Sequence, residues 1–186
     1  MSVRCPGLIA VDGVNGPATL AAAREALGEV SRGQRGGVST WDASGLFQDF
    51  AVAGEEAGPP SARTLLLLYA ADLAFRLRWE IRPKLAENRI VVAAPYLDTA
   101  IAFGRAAGLR STWLTALFRF ALRPDESRSV DQAPARSSAS GAGLVEFVSG
   151  HIALAQASGT RDELVERTRD ALRTVARRRG RRARRG

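Results

Sequence analysis

Residues 8–28 constrain the fold more than any other stretch, because they join a short apolar run, a glycine-containing turn and an alanine-rich segment. The run Leu8-Ile9-Ala10-Val11 is typical of a buried parallel strand. Segment 18–27 is rich in Ala and Leu and predicts a helix that stops at Gly28. A buried strand that leads directly into a helix favours a parallel α/β sheet with helices on both faces.

The turn between this strand and helix has the context of a phosphate-binding loop. Such a loop holds phosphate with backbone N–H groups, a Lys on the terminal phosphates and a Ser or Thr on Mg²⁺. Ala18-Thr19-Leu20 stands where the motif requires Gly-Lys-Ser/Thr. We expect a vestigial phosphate loop made of Asp12, Gly13, Asn15, Gly16 and Thr19. The Thr19 hydroxyl could still meet a phosphate, but an inert turn is favoured because Pro17 lacks an N–H.

Composition indicates one globular domain, predicted to span residues 1–176. With 186 residues, 46% of them hydrophobic, the chain can bury one good core. Its single cysteine excludes an internal disulfide and fits a reducing compartment. We see no signal peptide and no apolar run long enough to span a bilayer, so we expect a cytoplasmic protein.

Residues 177–186 are dominated by arginine and carry most of the net charge. The formal net charge is +8, and seven of these charges lie in this segment: Arg177, Arg178, Arg179, Arg181, Arg182, Arg184 and Arg185. We expect a disordered tail on a nearly neutral domain. Two interpretations are level: the tail binds a polyanion (nucleic acid, an acidic protein surface or anionic lipid), or it only helps solubility.

The rest of the sequence alternates between predicted strands and helices. Strands are expected at 7–12, 36–41, 89–94, 127–130 and 151–156. Helices are expected at 18–28, 44–53, 61–82, 98–105, 112–122 and 160–177. Segment 132–143 is low in complexity and predicts a flexible loop. The pattern therefore predicts a five-stranded, mostly parallel sheet.

Four stretches, taken in order, resemble the thymidylate kinase family over nearly the full length of the chain. Residues 62–74 and 81–85 are similar to the family's R-T-x-L-L-L-F-A-A-D-R-A … I-R-P-A-L helix. Residues 89–103 are similar to V-I-x-D-R-Y-x-D-S-S-x-A-Y. Segments 124–127 and 156–160 resemble P-D-L-T and D-A-S/T. The resemblance implies a P-loop NTPase-like, three-layer α/β/α sandwich.

The sequence departs from the family where the family binds phosphate and metal. The replacements are Asn15 for the loop's acidic residue, Thr19 for its Lys, Leu20 for its Ser/Thr, Trp41-Asp42-Ala43 for R-E-P, Leu73 for the long helix's Arg, and Ala94 and Pro95 for the Asp and Arg of D-R-Y. The lid is shortened to segment 132–143. Phosphoryl transfer depends on charge neutralisation and positioning. The resemblance thus implies a pseudoenzyme with no catalytic residue, metal or cofactor.

Two rival functions stay open at this point. One is an active nucleoside-monophosphate kinase with rearranged ligands. The other is a nucleic-acid-associated protein that acts through the Arg-rich tail.

The resemblance also implies a base pocket and a dimer. Tyr69, Tyr96 and Phe103 match aromatic positions of the family's pocket, although ordinary core packing of these residues is favoured. Family members dimerise through the long helix, and the 61–82 helix here is apolar all round. We expect a homodimer, or pairing with another protein, through exposed Leu66 and Phe75.

Overall fold

The structure is a computed structural model that describes residues 7–46, 61–130 and 161–183. Its elements are, in chain order, β1 (Leu8–Gly13), α1 (Gly16–Glu29), a 3₁₀ turn (Arg32–Gln34), β2 (Arg35–Thr40), α2 (Ala62–Arg76), a π-turn (Leu77–Ile81), α3 (Arg82–Ala86), β3 (Ile90–Ala94), α4 (Leu97–Ala106), α5 (Ser111–Leu117), β4 (Glu126–Val130) and α6 (Arg161–Ala183). None of the helices in these ranges is long and apolar enough to cross a membrane.

The described strands form one parallel sheet in the order β2-β3-β1-β4. Central strand β1 pairs with β3 through Leu8 and Val91, and with β4 through Ile9 and Glu126. Four of the five expected strands are therefore present. The fifth, at 151–156, lies outside the described residues, as do loop 132–143 and most of the predicted helix at 44–53.

Side chains of β1 alternate between the two faces of the sheet, as a strand's period of two requires. Leu8 and Ala10 belong to the larger core cluster, which also contains buried residues of α2, α4 and α6. Ile9 and Val11 face the smaller cluster, which includes Ala23 of α1. This confirms the predicted three-layer α/β/α sandwich.

The predicted 61–82 helix extends to Ala86, and a π-turn at Leu77–Ile81 divides it into α2 and α3. Ser61 caps it by accepting a hydrogen bond from the Thr64 N–H at 3.1 Å. After the π-turn the chain continues as α3, and Asn88 then adopts a positive φ of 57° in the turn that leads to β3.

Leu66 is fully buried, so its expected place in a dimer interface is wrong. It lies on the face of α2 that also carries Tyr69 and Leu73, and it packs in the larger core cluster. Phe75, the other expected interface residue, is 39% exposed. Because apolar residues occur on every side of α2, the sequence pattern does not show which face of the helix is buried.

Helix α6 extends to Ala183, so residues 177–183 are helical, not disordered as the sequence predicts. Arginine is a good helix former, and this stretch has no proline to stop the helix. Helix α5 is shorter than predicted, because it ends at Leu117 instead of residue 122.

Candidate functional site at the carboxyl edge of the sheet

The carboxyl ends of β1, β2 and β3 meet at one edge, where open parallel sheets bind their ligands. Asp12 and Gly13 end β1, Trp41 follows β2, and Pro95 and Tyr96 follow β3. Helix α2 runs alongside this edge. The sequence-predicted loop and aromatic residues therefore come together in one region.

The connection between β1 and α1 contains only two residues, Val14 and Asn15, because α1 already begins at Gly16. Asn15 caps the helix with its side-chain Oδ1, which accepts the Ala18 N–H at 3.0 Å. The Asn15 carbonyl accepts the Thr19 N–H at 2.8 Å. Pro17 has no N–H to offer. Three successive positions thus lack a backbone N–H directed at an external phosphate.

Thr19 is buried and points back into the loop. Its hydroxyl donates to the Asn15 carbonyl at 2.7 Å. A Cβ on Gly13 would lie 2.5 Å from Thr19 Oγ1, so this close packing requires glycine. The Leu20 side chain, where the resemblance implies a metal ligand, has no oxygen to offer. These residues do not fit a Mg²⁺–phosphate group, and the described residues contain no cluster of three or more potential metal ligands.

Asp12 ties the end of β1 to the beginning of α4. Its Oδ1 accepts the Tyr96 N–H at 2.9 Å, the Thr99 N–H at 3.0 Å and the Thr99 hydroxyl at 2.8 Å. Thr99 Oγ1 in turn accepts the Gly13 N–H at 3.1 Å. Burial raises the pKa of Asp12, and the hydrogen bonds from Thr99 and Tyr96 oppose that rise. The sequence interpretation found Asp12 but missed Thr99.

The three expected pocket aromatics are fully buried in the larger core cluster. The Tyr69 hydroxyl donates to the Tyr96 carbonyl, and the Tyr96 hydroxyl donates to the Leu122 carbonyl at 2.8 Å. Phe103 packs in the same cluster. This arrangement agrees with the core-packing interpretation of these residues.

Trp41 covers one face of Tyr69, with ring centroids 3.8 Å apart and planes inclined by 39°. Phe118 meets Tyr69 edge-on at 5.8 Å. The sequence interpretation treated position 41 only as the place of a missing Arg. It missed this contact because the two rings are 28 positions apart in the chain.

Arg76 is fully buried at the ends of β2 and β3. Its guanidinium donates to Ser39 Oγ at 2.9 Å, to the Ser39 carbonyl at 2.7 Å and to the Pro95 carbonyl at 3.2 Å. The Ser39 hydroxyl donates to Glu80 Oε2 at 2.6 Å. This network was missed as well; the only available signal was a charged residue on the buried face of α2, one turn after Leu73.

Asp72 anchors the segment that follows β2. Its Oδ1 accepts the Ser44 N–H at 3.0 Å and the Ser44 hydroxyl at 2.7 Å. Its Oδ2 is buried and has no hydrogen-bond partner in the described parts of the chain. Trp41 and Ser44 together hold this segment against α2.

The chain is similar in structure and sequence to thymidylate kinases. The crystal structure of thymidylate kinase from Ehrlichia chaffeensis matches with a TM-score of 0.67, over 92% of this chain and 86% of that chain, at 16% identity. A probable thymidylate kinase from Thermococcus onnurineus is 42% identical over 59 residues. One from Pyrobaculum calidifontis is 32% identical over 92 residues.

The sequence similarity to thymidylate kinases is local. The matched regions cover 32% and 50% of this chain and only 29% and 46% of those two curated relatives. No family model matches the chain. The shared fold extends over far more of the molecule than the recognisable sequence similarity.

Two of the positions at which the sequence was expected to depart from the thymidylate kinase pattern lie in the core. Leu73 and Ala94 are both buried and apolar. They belong to the larger and the smaller core cluster, respectively. Positions where the resemblance implies phosphate and metal ligands thus contribute to packing.

Proposed function

We propose that this thymidylate kinase relative does not transfer phosphate and instead acts as a protein-interaction module, with a second copy of the chain as its first partner. The observation that carries the proposal is the helical turn from Gly16 to Thr19. Its N–H groups are absent at Pro17 and bonded to Asn15 at the next two positions. A phosphate cradle needs those groups free.

The missing charges support the same proposal. Phosphoryl transfer involves little covalent chemistry by the protein, so its rate depends on Lys, Arg and metal around the phosphates. Removing one such stabilising group costs about 10²–10³ in rate. Thr19 and Leu20 replace two of these groups in the loop, and both differ in chemistry from the residues required. Arg76 is a cation in the region, but its guanidinium is buried and bonded to Ser39 and Pro95.

The position of Trp41 argues against nucleobase binding. The resemblance to the thymidylate kinase family places Tyr69 at the position of the aromatic residue that stacks on thymine. Here Trp41 covers a face of Tyr69 and is itself only 5% exposed. A base and the indole cannot stack on the same face of Tyr69 together.

The outer face of α2 supports an interaction role. Leu67 is 50% exposed, Phe75 is 39% exposed and Trp79 in the π-turn is 62% exposed. Exposed apolar patches mark interaction surfaces more often than isolated apolar residues do. Since the resemblance implies pairing through the long helix, a second copy is the partner that this face favours.

The test is a kinase assay together with a ligand-binding assay. Purified protein with ATP, Mg²⁺ and each nucleoside monophosphate should give no diphosphate above background. Millimolar ATP or dTMP should leave the melting temperature unchanged. A thymidylate kinase with activity demonstrated in the same assay serves as the positive control. Turnover near ~1 s⁻¹, ordinary for kinases, would establish the rival kinase function.

A further inference from the structure

Helix α6 packs against the domain along its first part only. Leu164, Val165, Thr168 and Leu172 are buried, and α6 lies against α4. Val175 and Ala176 are half-buried. Beyond Ala176, every residue whose side chain is described is exposed. The helix therefore leaves the body of the domain and continues to Ala183.

The projecting part of α6 carries exposed arginines at helical spacing. Arg177, Arg178 and Arg181 are exposed on it. Arg177 and Arg181 are four residues apart, so they lie on the same side with Cβ atoms about 5–6 Å apart. Phosphates follow one another at every nucleotide of a duplex strand, which advances about 3.4 Å along the axis per nucleotide. Two long arginine side chains on one side of a helix can therefore reach neighbouring phosphates of the same strand.

The composition of this helical extension distinguishes between anionic partners. Residues 177–183 consist of Arg, Gly and Ala only. A membrane-binding helix needs an apolar face of Trp, Phe or Leu, and the core of a protein interface is depleted in charge. Residues 177–183 have no apolar face of this kind, and they are not depleted in charge. Guanidinium groups bind phosphate oxygens through paired hydrogen bonds, which favours a polyphosphate chain.

We propose that the helical extension of α6, residues 177–183, binds the phosphate backbone of nucleic acid without sequence preference. This nucleic-acid binding is a function separate from the protein-interaction role proposed above and does not depend on that role. Arginine is the only polar side chain of the extension, and contacts between arginine and phosphate position a protein on a duplex without carrying sequence information. Removing the seven arginines of 177–185 would leave the rest of the chain with a formal net charge of about +1, so the body has little general attraction for polyanions.

The experiment measures binding of the full chain to a fluorescently labelled DNA duplex and to an RNA duplex of the same sequence. The test variant is Arg177→Glu/Arg178→Glu/Arg181→Glu. The matched control is Arg110→Glu/Arg119→Glu/Arg123→Glu, whose three arginines are exposed on the body. Each Arg→Glu change lowers the charge by two, so both triple variants reduce the net charge from +8 to +2.

The expected result is selective loss of binding by the α6 variant. Three lost phosphate contacts should reduce the slope of log affinity against log salt by about 2.7 and weaken binding about tenfold or more. The body variant should stay within about threefold of wild type, because it keeps the phosphate contacts. Melting temperatures of the variants should match wild type, since residues 177, 178 and 181 lie beyond the packed part of α6.

Three results would overturn the proposal. The α6 variant could bind both duplexes as tightly as wild type does. Both triple variants could weaken equally, which would show that binding follows net charge alone. The wild-type chain could bind phosphatidylserine vesicles but neither duplex, which would assign the extension to membranes.

Discussion

The carboxyl edge of the sheet and the outer face of α2 reverse the usual distribution of polar and apolar side chains. At the edge, Asp12, Asp72 and Arg76 are at most 2% exposed. On the outer face of the long helix, Phe75 and Trp79 are 39% and 62% exposed. Buried charges are rare unless they are bonded, and large exposed apolar side chains that cluster indicate interaction.

The difference shows which region is available to a partner. At the edge, hydrogen bonds join Asp12 to Thr99, Asp72 to Ser44 and Arg76 to Ser39. Apart from Asp72 Oδ2, the polar groups named here bind one another and leave little for a ligand. On the outer face of the long helix, the Arg78 guanidinium lies 5.0 Å from the Trp79 ring centroid, yet Trp79 stays 62% exposed. The long helix thus packs its inner face against the carboxyl edge of the sheet and leaves its outer face exposed to a partner.

Trp41→Ala should lower the free energy of unfolding more than any other change proposed here, because it removes a buried ring at the carboxyl edge of the sheet. Removing a buried Trp costs about 3–5 kcal/mol of unfolding free energy. The cavity beside Tyr69 should then accept free indole, which would raise the melting temperature of the variant but not of wild type. Trp79→Ala is the matched control, because Trp79 is exposed and its loss should cost less than about 0.5 kcal/mol. Equal melting of Trp41→Ala and wild type would show that Trp41 does not pack in the core.

Arg76→Met should be the next most damaging change, at about 2–4 kcal/mol in chemical denaturation. The loss leaves the buried Ser39 and Pro95 carbonyls without their donors, and each orphaned group costs about 1–3 kcal/mol. Arg78→Met is the control two positions along, since Arg78 is exposed. If both variants unfolded at the same denaturant concentration, the buried network would contribute nothing to stability.

Asn15→Ala should lower the unfolding free energy by about 1 kcal/mol, the usual effect of losing a helix N-cap. Asn15→Asp keeps a capping oxygen and should stay within a few tenths of a kcal/mol of wild type. Neither variant should gain affinity for ATP in calorimetry, because Pro17 and the Thr19 helical bond remain. An Asn15→Ala variant that binds ATP would show that the cap alone closes the loop.

Phe75→Asp should have the smallest effect on stability, within about 0.5 kcal/mol, because the site is on the surface. Its effect on assembly should be large: light scattering should show dimers for wild type and monomers for the variant. Thr115→Asp, an exposed change of equal charge on α5, should remain dimeric. Leu66→Arg cannot serve here, because Leu66 is in the core. A wild type that is monomeric at all concentrations would reject the dimer.

Local sequence patterns predicted the parts of this molecule that depend on neighbouring residues. The apolar runs located β1 and β3 to within one residue, and the loop from Asp12 to Thr19 was recognised from its glycines. The contacts of Trp41 with Tyr69 and of Arg76 with Ser39 join residues 28 and 37 positions apart. No local period encodes such pairs.

The error at Leu66 has a related cause. A helix with apolar residues on every side has no periodicity that identifies its buried face. Only the packing of α2 against the sheet determines that Leu66 is inside and Phe75 is outside.

The early start of α1 also makes phosphate binding and helix capping compete for the same groups. The Ala18 N–H is bonded to the Asn15 side chain at 3.0 Å, and the Thr19 N–H is bonded to the Asn15 carbonyl at 2.8 Å. Lys at position 19 and Ser at position 20 would restore the motif's letters but would leave the Asn15 cap and Pro17 in place. A phosphate could take the Ala18 N–H only by displacing this cap, and losing a cap destabilises a helix.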